Sequence, residues 1–298
     1  MKILLTGSGG FIGGGLLARL VRDGHALTAL YRTTTPAGCD DLPAGSVVTV
    51  RADLSRPLPD LGPHDAVIHA AAHTHLVPGS TVADYVAGNI QPALNLAAYA
   101  AKSGVSRFIF LSTLSVYGRV AEALLTEDAP IRDGEPYGVS KYLAEQALAE
   151  AAGPYGLVCL RMPGVVGRGY FTPWIGRVTR QAAAGQDIVI YNPASPFNNV
   201  LDLDEVHAGI GHLLSRPLSG AATVNLAASA PLPLAGVVRR IVSRLGSSSR
   251  LIEKPAERAS FCIDTARCAR LFGYVPASTS DIIDRYLSCN LDLLGVAA

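Results

Sequence analysis

The 298-residue sequence is short of charge: Asp, Glu, Lys and Arg make up 16% of it, with a formal net charge of +1 and no basic run. A protein that tracks a phosphate backbone needs a positive stripe, so a nucleic-acid partner is excluded. Long apolar runs are missing too. Mean hydropathy is +0.29, yet no stretch approaches the ~18 consecutive apolar residues, free of Gly and charge, that a membrane span requires. The opening apolar run stops at Thr6-Gly7-Ser8-Gly9-Gly10, too soon for the core of a signal peptide. The five cysteines are odd in number and lack C-x-x-C spacing, which argues against a disulfide framework and against a cysteine zinc site. They read as small buried hydrophobes in a reducing compartment. His69, His73 and His75 cluster, but without a carboxylate or cysteine companion they read as loop residues lining a substrate cleft, and no metal is expected. Internal repeats and low-complexity linkers are also lacking. These absences predict a soluble cytoplasmic protein with no membrane partner.

What is present is an alternation of short apolar runs and helical patterns. Lys2–Thr6 is strand-like, and Phe11–Arg22 has helical periodicity through Leu16, Leu17, Leu20 and Val21. Between them the spacing is Gly7-x-x-Gly10-x-x-Gly13. Such glycines allow a tight turn, let a pyrophosphate approach the backbone and let helix and strand pack closely, while the helix N-terminus offers free N–H groups. A tight turn with no ligand would show the same spacing. Gly14 and Gly15 are unexplained, since glycine inside a helix costs about 1 kcal/mol relative to Ala. Ala26–Tyr31 forms a second strand, followed by Arg32, Thr33 and Thr34. A carboxylate there would bind the ribose 2′-hydroxyl of NAD. An arginine suits the 2′-phosphate of NADP, so NADP(H) is favoured over NAD(H), with a solvated strand-end arginine as the alternative. Residues 47–50 make a third strand, after which Asp53 could bind the adenine amino group. Residues 66–72 make a fourth, with Ala70, Ala71 and Ala72 small enough for a flat cofactor to lie along.

Residues 82–103 are helical with a break expected near Asn89, because Pro92 follows. Residues 108–111 form a fifth strand delivering Ser112 and Thr113 to its carboxyl end, where ligands bind in open α/β sheets. The helix over 137–152 places Tyr137 and Lys141 one turn apart on one face. A phenol titrates near pH 10, and a neighbouring cation favours its anion. By itself this spacing also occurs on surface helices. The helix is apolar on more than one side, through Tyr142, Leu143, Ala147, Leu148 and Ala151, which predicts burial on the sheet and on a second copy, a homodimer that also uses the 82–103 helix. Residues 157–160 give a sixth strand, 200–204 and 223–226 short strands, and 234–245 and 281–287 helices. Residues 168–200, rich in Gly, Pro, Asn and aromatics, read as a substrate-facing lobe. The expected fold is α/β, a doubly wound parallel sheet (Rossmann) with a smaller C-terminal lobe. The boundaries are 1–167, with contributions from about 200–228, for the dinucleotide domain and 168–298 for the lobe.

With these residues in view, the chain resembles the extended short-chain dehydrogenase/reductases, the NAD(P)-dependent nucleotide-sugar epimerases, dehydratases and reductases. The resemblance rests on Thr6-Gly7-x-x-Gly10-Phe11-Ile12-Gly13, on Ser112 to Gly118, on Pro136-Tyr137-Gly138-Val139-Ser140-Lys141, and on Leu160-Arg161-x-Pro163 running to Gly167. It implies that Tyr137 is the proton donor and acceptor, that Lys141 binds the nicotinamide ribose and favours the phenolate, and that Thr113 orients the substrate oxygen. It further implies pyrophosphate contacts from Gly7, Gly10, Phe11 and Ile12, adenine contacts from Asp53 and Leu54, and cofactor contacts from Ala70, Ala71 and Ala72. Pro163 is implied to lie near the nicotinamide amide. Two departures narrow the reaction. Sugar 4,6-dehydratases of the family carry Asp-Glu after the catalytic Thr, where this chain has Leu114 and Ser115, neither a general acid nor a base. Family members commonly carry Asn where Gly164 stands. The expected activity is NADPH-dependent reduction of a keto-sugar, a nucleotide-linked 4-keto-6-deoxyhexose, with hydride from the nicotinamide and a proton from Tyr137. The alternatives are an NAD-retaining epimerase, a small-molecule carbonyl reductase and a non-catalytic dinucleotide sensor. Phe197, Asn198, Asn199 and Arg258 are candidate substrate contacts.

Overall fold

A computed structural model of the chain describes residues 1–152, 155–256 and 259–295. They divide into two compact units: Met1–Arg119 with Pro130–Arg161 and His207–Val224, and Val120–Ala129 with Met162–Val206 and Asn225–Ala298. In the first unit the expected alternation produces a seven-stranded parallel sheet. Its strands are β1 (Lys2–Thr6), β2 (Ala26–Tyr31), β3 (Val47–Arg51), β4 (Ala66–His69), β5 (Arg107–Thr113), β6 (Gly156–Met162) and β7 (Ala221–Asn225), in the order β7-β6-β5-β4-β1-β2-β3.

The central strands are apolar along their whole length because both faces are covered: every residue of β4 and of β6 is buried, whereas edge strand β3 is exposed or half-buried throughout. Alternation sorts the two faces. Leu4, Val67 and Phe108 are register partners across β1, β4 and β5 and share one core with Ala93, Leu96, Leu148 and Leu157. Their neighbours Leu5, Ile68 and Ile109 form the matching row on the other face. Two helices cover the first face: α1 (Phe11–Arg22) does not contribute to it, whereas α2 (Gln91–Lys102) and α3 (Pro136–Ala151) do.

Several boundaries differ from the sequence expectation, each for a local reason. The 82–103 helix is three pieces: one turn at Val82–Tyr85, a π-helical turn at Val86–Ile90 and then α2. The expected break near Asn89 is therefore a widened turn rather than an interruption. Pro92 sits in the first turn of α2, where its missing N–H costs nothing. Ser112 and Thr113 lie within β5 rather than after it. Residues 200–204 are not a strand: pairing stops after Leu201–Asp202, and a helix runs over Leu203–Leu214. Its start is set by Asp202, whose Oδ1 accepts the Glu205 N–H at 2.9 Å.

The second unit is built from two-stranded pairings and amphipathic helices. Val165–Val166 pairs with Leu201–Asp202, Ile188–Tyr191 with Leu251–Lys254, Pro196–Phe197 with Leu232–Pro233, and Leu124–Leu125 with Cys262–Ile263. Helices Trp174–Ala183, Leu234–Arg244 and Thr279–Ser288 bury one face each. A polar knot of buried acids and half-buried partners fixes it: Arg285 donates to Asp202 (2.8 Å) and Glu205 (2.6 Å), and Tyr274 donates to Glu205 (2.8 Å). Among the described residues, no helix is long and apolar enough to cross a membrane.

Candidate active site

The glycine turn after β1 is a cradle closed by backbone on its far side. Gly7 has φ of +70°, and a Cβ there would stand 2.6 Å from the Ala71 N. A Cβ on Gly9 would meet the Thr34 carbonyl oxygen at 1.9 Å, and one on Gly13 would meet the Gly7 carbonyl oxygen at 2.2 Å. Glycine is required at each because main chain meets main chain. Helix α1 opens at Gly10 with no side-chain cap and no acidic residue in its first turn, so its positive potential faces the turn, where the Gly10 N–H donates to the Gly7 carbonyl at 2.9 Å. The residues present therefore fit a dinucleotide pyrophosphate at Gly7, Gly10, Phe11 and Ile12. Gly14 gains a partial account: a Cβ there would stand 3.2 Å from the Ser8 carbonyl oxygen.

The three histidines after β4 have separate fates. His69 is wholly buried, its Nδ1 2.8 Å from Thr6 Oγ1, which also accepts the Ala71 N–H at 3.2 Å. Burial first, and Lys141 second, hold its pKa well below the ordinary value, so it is neutral. It props up the Ala70–Ala72 loop and does not line a cleft, which corrects the sequence expectation. His73 is half-buried with Nε2 2.7 Å from Ser80 Oγ. His75 is exposed, its ring centroid 5.3 Å from that of Tyr137.

At the other end of the cradle, exposed Arg32 follows β2, and Arg51 Nε donates to the Arg32 carbonyl at 3.2 Å. Asp53 Oδ1 accepts from Ser55 N–H (3.0 Å) and Ser55 Oγ (2.8 Å). Those bonds, then the charges of Arg32 and Arg56, hold its carboxyl below the usual range. Asn95 locks the turn by donating to the Leu54 and Arg56 carbonyls at 2.8 and 2.9 Å. Sequence reading missed Asn95; its only signal is a polar residue set between Leu94 and Leu96.

The proposed reacting groups come from two elements in backbone contact. Thr113 ends β5 and begins a 3-10 turn over Leu114–Tyr117, its Oγ1 accepting the Ser115 N–H at 3.1 Å and donating to Ser115 Oγ at 3.2 Å. Helix α3 starts at Pro136, so Tyr137 lies in its first turn, half-buried. Gly138 lets this helix touch the turn: a Cβ there would stand 2.0 Å from the Ser115 carbonyl oxygen. Tyr137 packs near His75 and near Tyr85, with a 6.3 Å centroid separation from the latter. Lys141 is fully buried, its Nζ donating to the Leu111 carbonyl at 2.8 Å and standing 3.8 Å from the Phe110 ring centroid. Burial pulls its pKa down to about 7, opposed by the negative charge of Glu145.

The π-helical turn has a function that only the fold reveals. Asn89 is buried there, accepting the His73 N–H (2.7 Å) and donating to the His73 carbonyl (3.0 Å) and to Ser140 Oγ (2.8 Å). It joins the loop after β4 to the helix that carries Tyr137 and Lys141. In the second unit, Pro163 is half-buried directly after β6. Asn198 is committed to structure, bonding to Ile263 N–H (2.9 Å), Ile263 O (2.9 Å) and Ala228 O (3.1 Å), which removes it from the substrate candidates. Phe197 packs on Trp174 at 5.3 Å. The Oδ1 of Asn199 is buried with no hydrogen-bond partner among the described residues. Arg258 lies outside the described residues. Among those residues, no cluster of His, Cys, Asp or Glu could hold a metal ion.

The family model described as "NAD dependent epimerase/dehydratase family" matches residues 3–227. A UDP-glucose 4-epimerase of Azospirillum brasilense is 33% identical over 183 residues, 56% of this chain and 49% of that protein. A 2-alkyl-3-oxoalkanoate reductase of Stenotrophomonas maltophilia is 32% identical over 164 residues, 51% of this chain and 46% of that protein. The chain thus spans about half the length of these curated relatives. Among solved structures, MoeE5 in complex with UDP-glucose and NAD has a TM-score of 0.80 at 23% identity, covering 99% of this chain and 100% of that one, a likeness of fold.

Proposed function

The chain belongs to the NAD-dependent epimerase/dehydratase family, and within it we propose a nucleotide-sugar epimerase that oxidises one ring carbinol and reduces it again on the opposite face. The observation that carries this reading is Thr113 and Tyr137 on elements in backbone contact, with the buried amine of Lys141 one turn from the phenol. A bound nicotinamide dinucleotide supplies the hydride acceptor and donor. Tyr137 takes the proton of the substrate hydroxyl and returns it, Lys141 favours the phenolate, and Thr113 orients the oxygen. Leu114 and Ser115 leave the Thr113 turn without the acid and base that elimination of water needs, so dehydration is disfavoured. The named epimerase relative supports epimerisation over the ketoreductase expected from sequence. The test incubates the protein and NAD with UDP-glucose and UDP-glucuronic acid and reads the C4 configuration by NMR. Interconversion is expected. Stoichiometric NADPH oxidation with a keto-sugar, and no interconversion, would replace this reading.

One observation favours a second reading, a reductase using NADPH. Arg32 and Arg56 both act on Asp53, and Arg51 bonds to the Arg32 backbone, so the ribose end of the cradle is cationic. Arg32→Ala is expected to weaken NADPH binding about tenfold, roughly 1.4 kcal/mol, and NADH binding by less than about twofold, because only NADPH places a phosphate there. Fluorescence titration with both dinucleotides checks this. Equal losses would remove the second reading.

A homodimer is the assembly we propose, through the outward faces of the Val82–Tyr85 turn, the π-helical turn, α2 and α3, which expose Val82, Val86, Leu94, Val139 and Leu143. Leu143→Arg should give a monomer by light scattering where the parent protein is a dimer. A parent protein that is monomeric throughout would end the proposal.

A further inference from the structure

Lys141 sits where an ammonium ought not to survive. Water is gone, and its neighbours are the Leu111 carbonyl at 2.8 Å and the face of Phe110 at 3.8 Å. A carbonyl dipole and a ring quadrupole only partly replace the hydration of a cation, and a buried charge needs a counter-charge. One helical turn further along α3 stands Glu145, 1% exposed. Its carboxylate is clamped from two other strands. Ser112 of β5 donates to Oε1 at 2.5 Å, and Arg161 of β6 donates through Nε to both oxygens at 3.1 Å and through Nη2 to Oε2 at 2.6 Å. The Arg161 guanidinium in turn lies 4.7 Å from the ring centroid of Tyr117, the last residue of the turn that begins at Thr113.

The remaining titratable groups around Lys141 are Tyr137 on its own helix, His69 on β4, and Cys159 and Arg161 on β6. His69 is neutral, and burial pushes the Cys159 thiol up, so neither supplies negative charge at neutral pH. Glu145 is the carboxylate acting on Lys141. We propose that Glu145 is a positioning residue for the reaction, whose buried charge one helical turn away favours the ammonium form of Lys141 while Ser112 and Arg161 hold its carboxylate in place. The proposal rests on the reading of Tyr137 and Lys141 given above, but its test needs no substrate and reads Lys141 itself.

The chain has four lysines, so lysine carrying 13C at Cε gives a spectrum in which Lys141→Arg assigns the buried residue. Titration of the full chain is expected to show the Lys141 signal moving with a midpoint at about 7. In Glu145→Gln the midpoint should fall by about one pH unit or more, because loss of a neighbouring anion disfavours the cation. Ser112→Ala removes a hydrogen bond but no charge and should shift the midpoint by less than about 0.3 unit. Should Glu145→Gln fail to fold, the double variant Glu145→Leu/Arg161→Met keeps an apolar pair of similar volume, a replacement that buried ion pairs tolerate. It should show an acid shift smaller than that of Glu145→Gln, because the Arg161 cation leaves together with the anion. A folded Glu145 variant with the parent midpoint, or a Ser112→Ala shift as large as that of Glu145→Gln, would reduce Glu145 to a structural residue. If the shifts appear but no nucleotide sugar is turned over, the electrostatic role stands and the epimerase reading fails.

Discussion

Replacing Tyr137 by Phe should lower kcat by about 10³ or more, some 4 kcal/mol of transition-state stabilisation, while dinucleotide binding stays within about twofold. The asymmetry follows from what the substitution removes. The ring keeps its place beside His75 and Tyr85, at centroid separations of 5.3 and 6.3 Å, and Pro136 still starts the helix. Only the hydroxyl goes, so the unfolding free energy should change by no more than about 1 kcal/mol. Initial-rate assays, a dinucleotide titration and a denaturant melt separate the three quantities. Residual activity above about a tenth of the parent's would mean that the proton travels by another group. His75 is the neighbour on the exposed side, so His75→Ala in the Phe background would then be the decisive measurement. A loss of cofactor binding equal to the loss of rate would instead make Tyr137 a binding residue.

The second large effect is expected at the cradle. Gly13→Ala should destabilise the protein by about 2–3 kcal/mol and abolish detectable dinucleotide binding. Two effects compete. Alanine inside a helix is preferred over glycine by about 1 kcal/mol, but its Cβ would stand 2.2 Å from the Gly7 carbonyl oxygen and 2.7 Å from its carbon. Both contacts are to main chain, and Gly7 is itself held against Ala71, so the clash wins. Gly14→Ala is the internal control. Its Cβ would stand 3.2 Å from the Ser8 carbonyl oxygen, a contact relieved by a few tenths of an ångström, so the propensity gain should leave stability within about 0.5 kcal/mol of the parent. Differential scanning calorimetry with and without NAD reads both. A Gly13→Ala protein that melts with the parent and is still stabilised by NAD would show that the turn does not hold the pyrophosphate.

Much of the first unit was legible because its information is local. The runs Lys2–Thr6 and Ala26–Tyr31 and the helix Phe11–Arg22 were bounded correctly, since period-2 and period-3.6 patterns and a glycine turn all act within a few residues. The second unit was harder to read. Its strands are two to four residues long, below the length at which alternation can be recognised, and the helix Leu203–Leu214 was concealed because its cap, Asp202, also ends a strand. Likewise, three histidines within seven residues looked like one cluster. Only the fold separates the ring bonded to Thr6 from the one beside Tyr137.

The succession of strands and helices along the first unit, the need for glycine at the first turn, and the placing of Tyr137 and Lys141 one turn apart were determined by sequence alone, because each depends on spacing within a single element or its nearest connection. What surrounds that pair was decided by tertiary structure. Ser112 reaches Glu145 across 33 residues, and Asn89 reaches Ser140 across 51. Such contacts leave no periodic trace in the chain. They exist because strands and the helices packed on them bring distant segments side by side, where a buried polar group must find a partner and a buried charge a counter-charge.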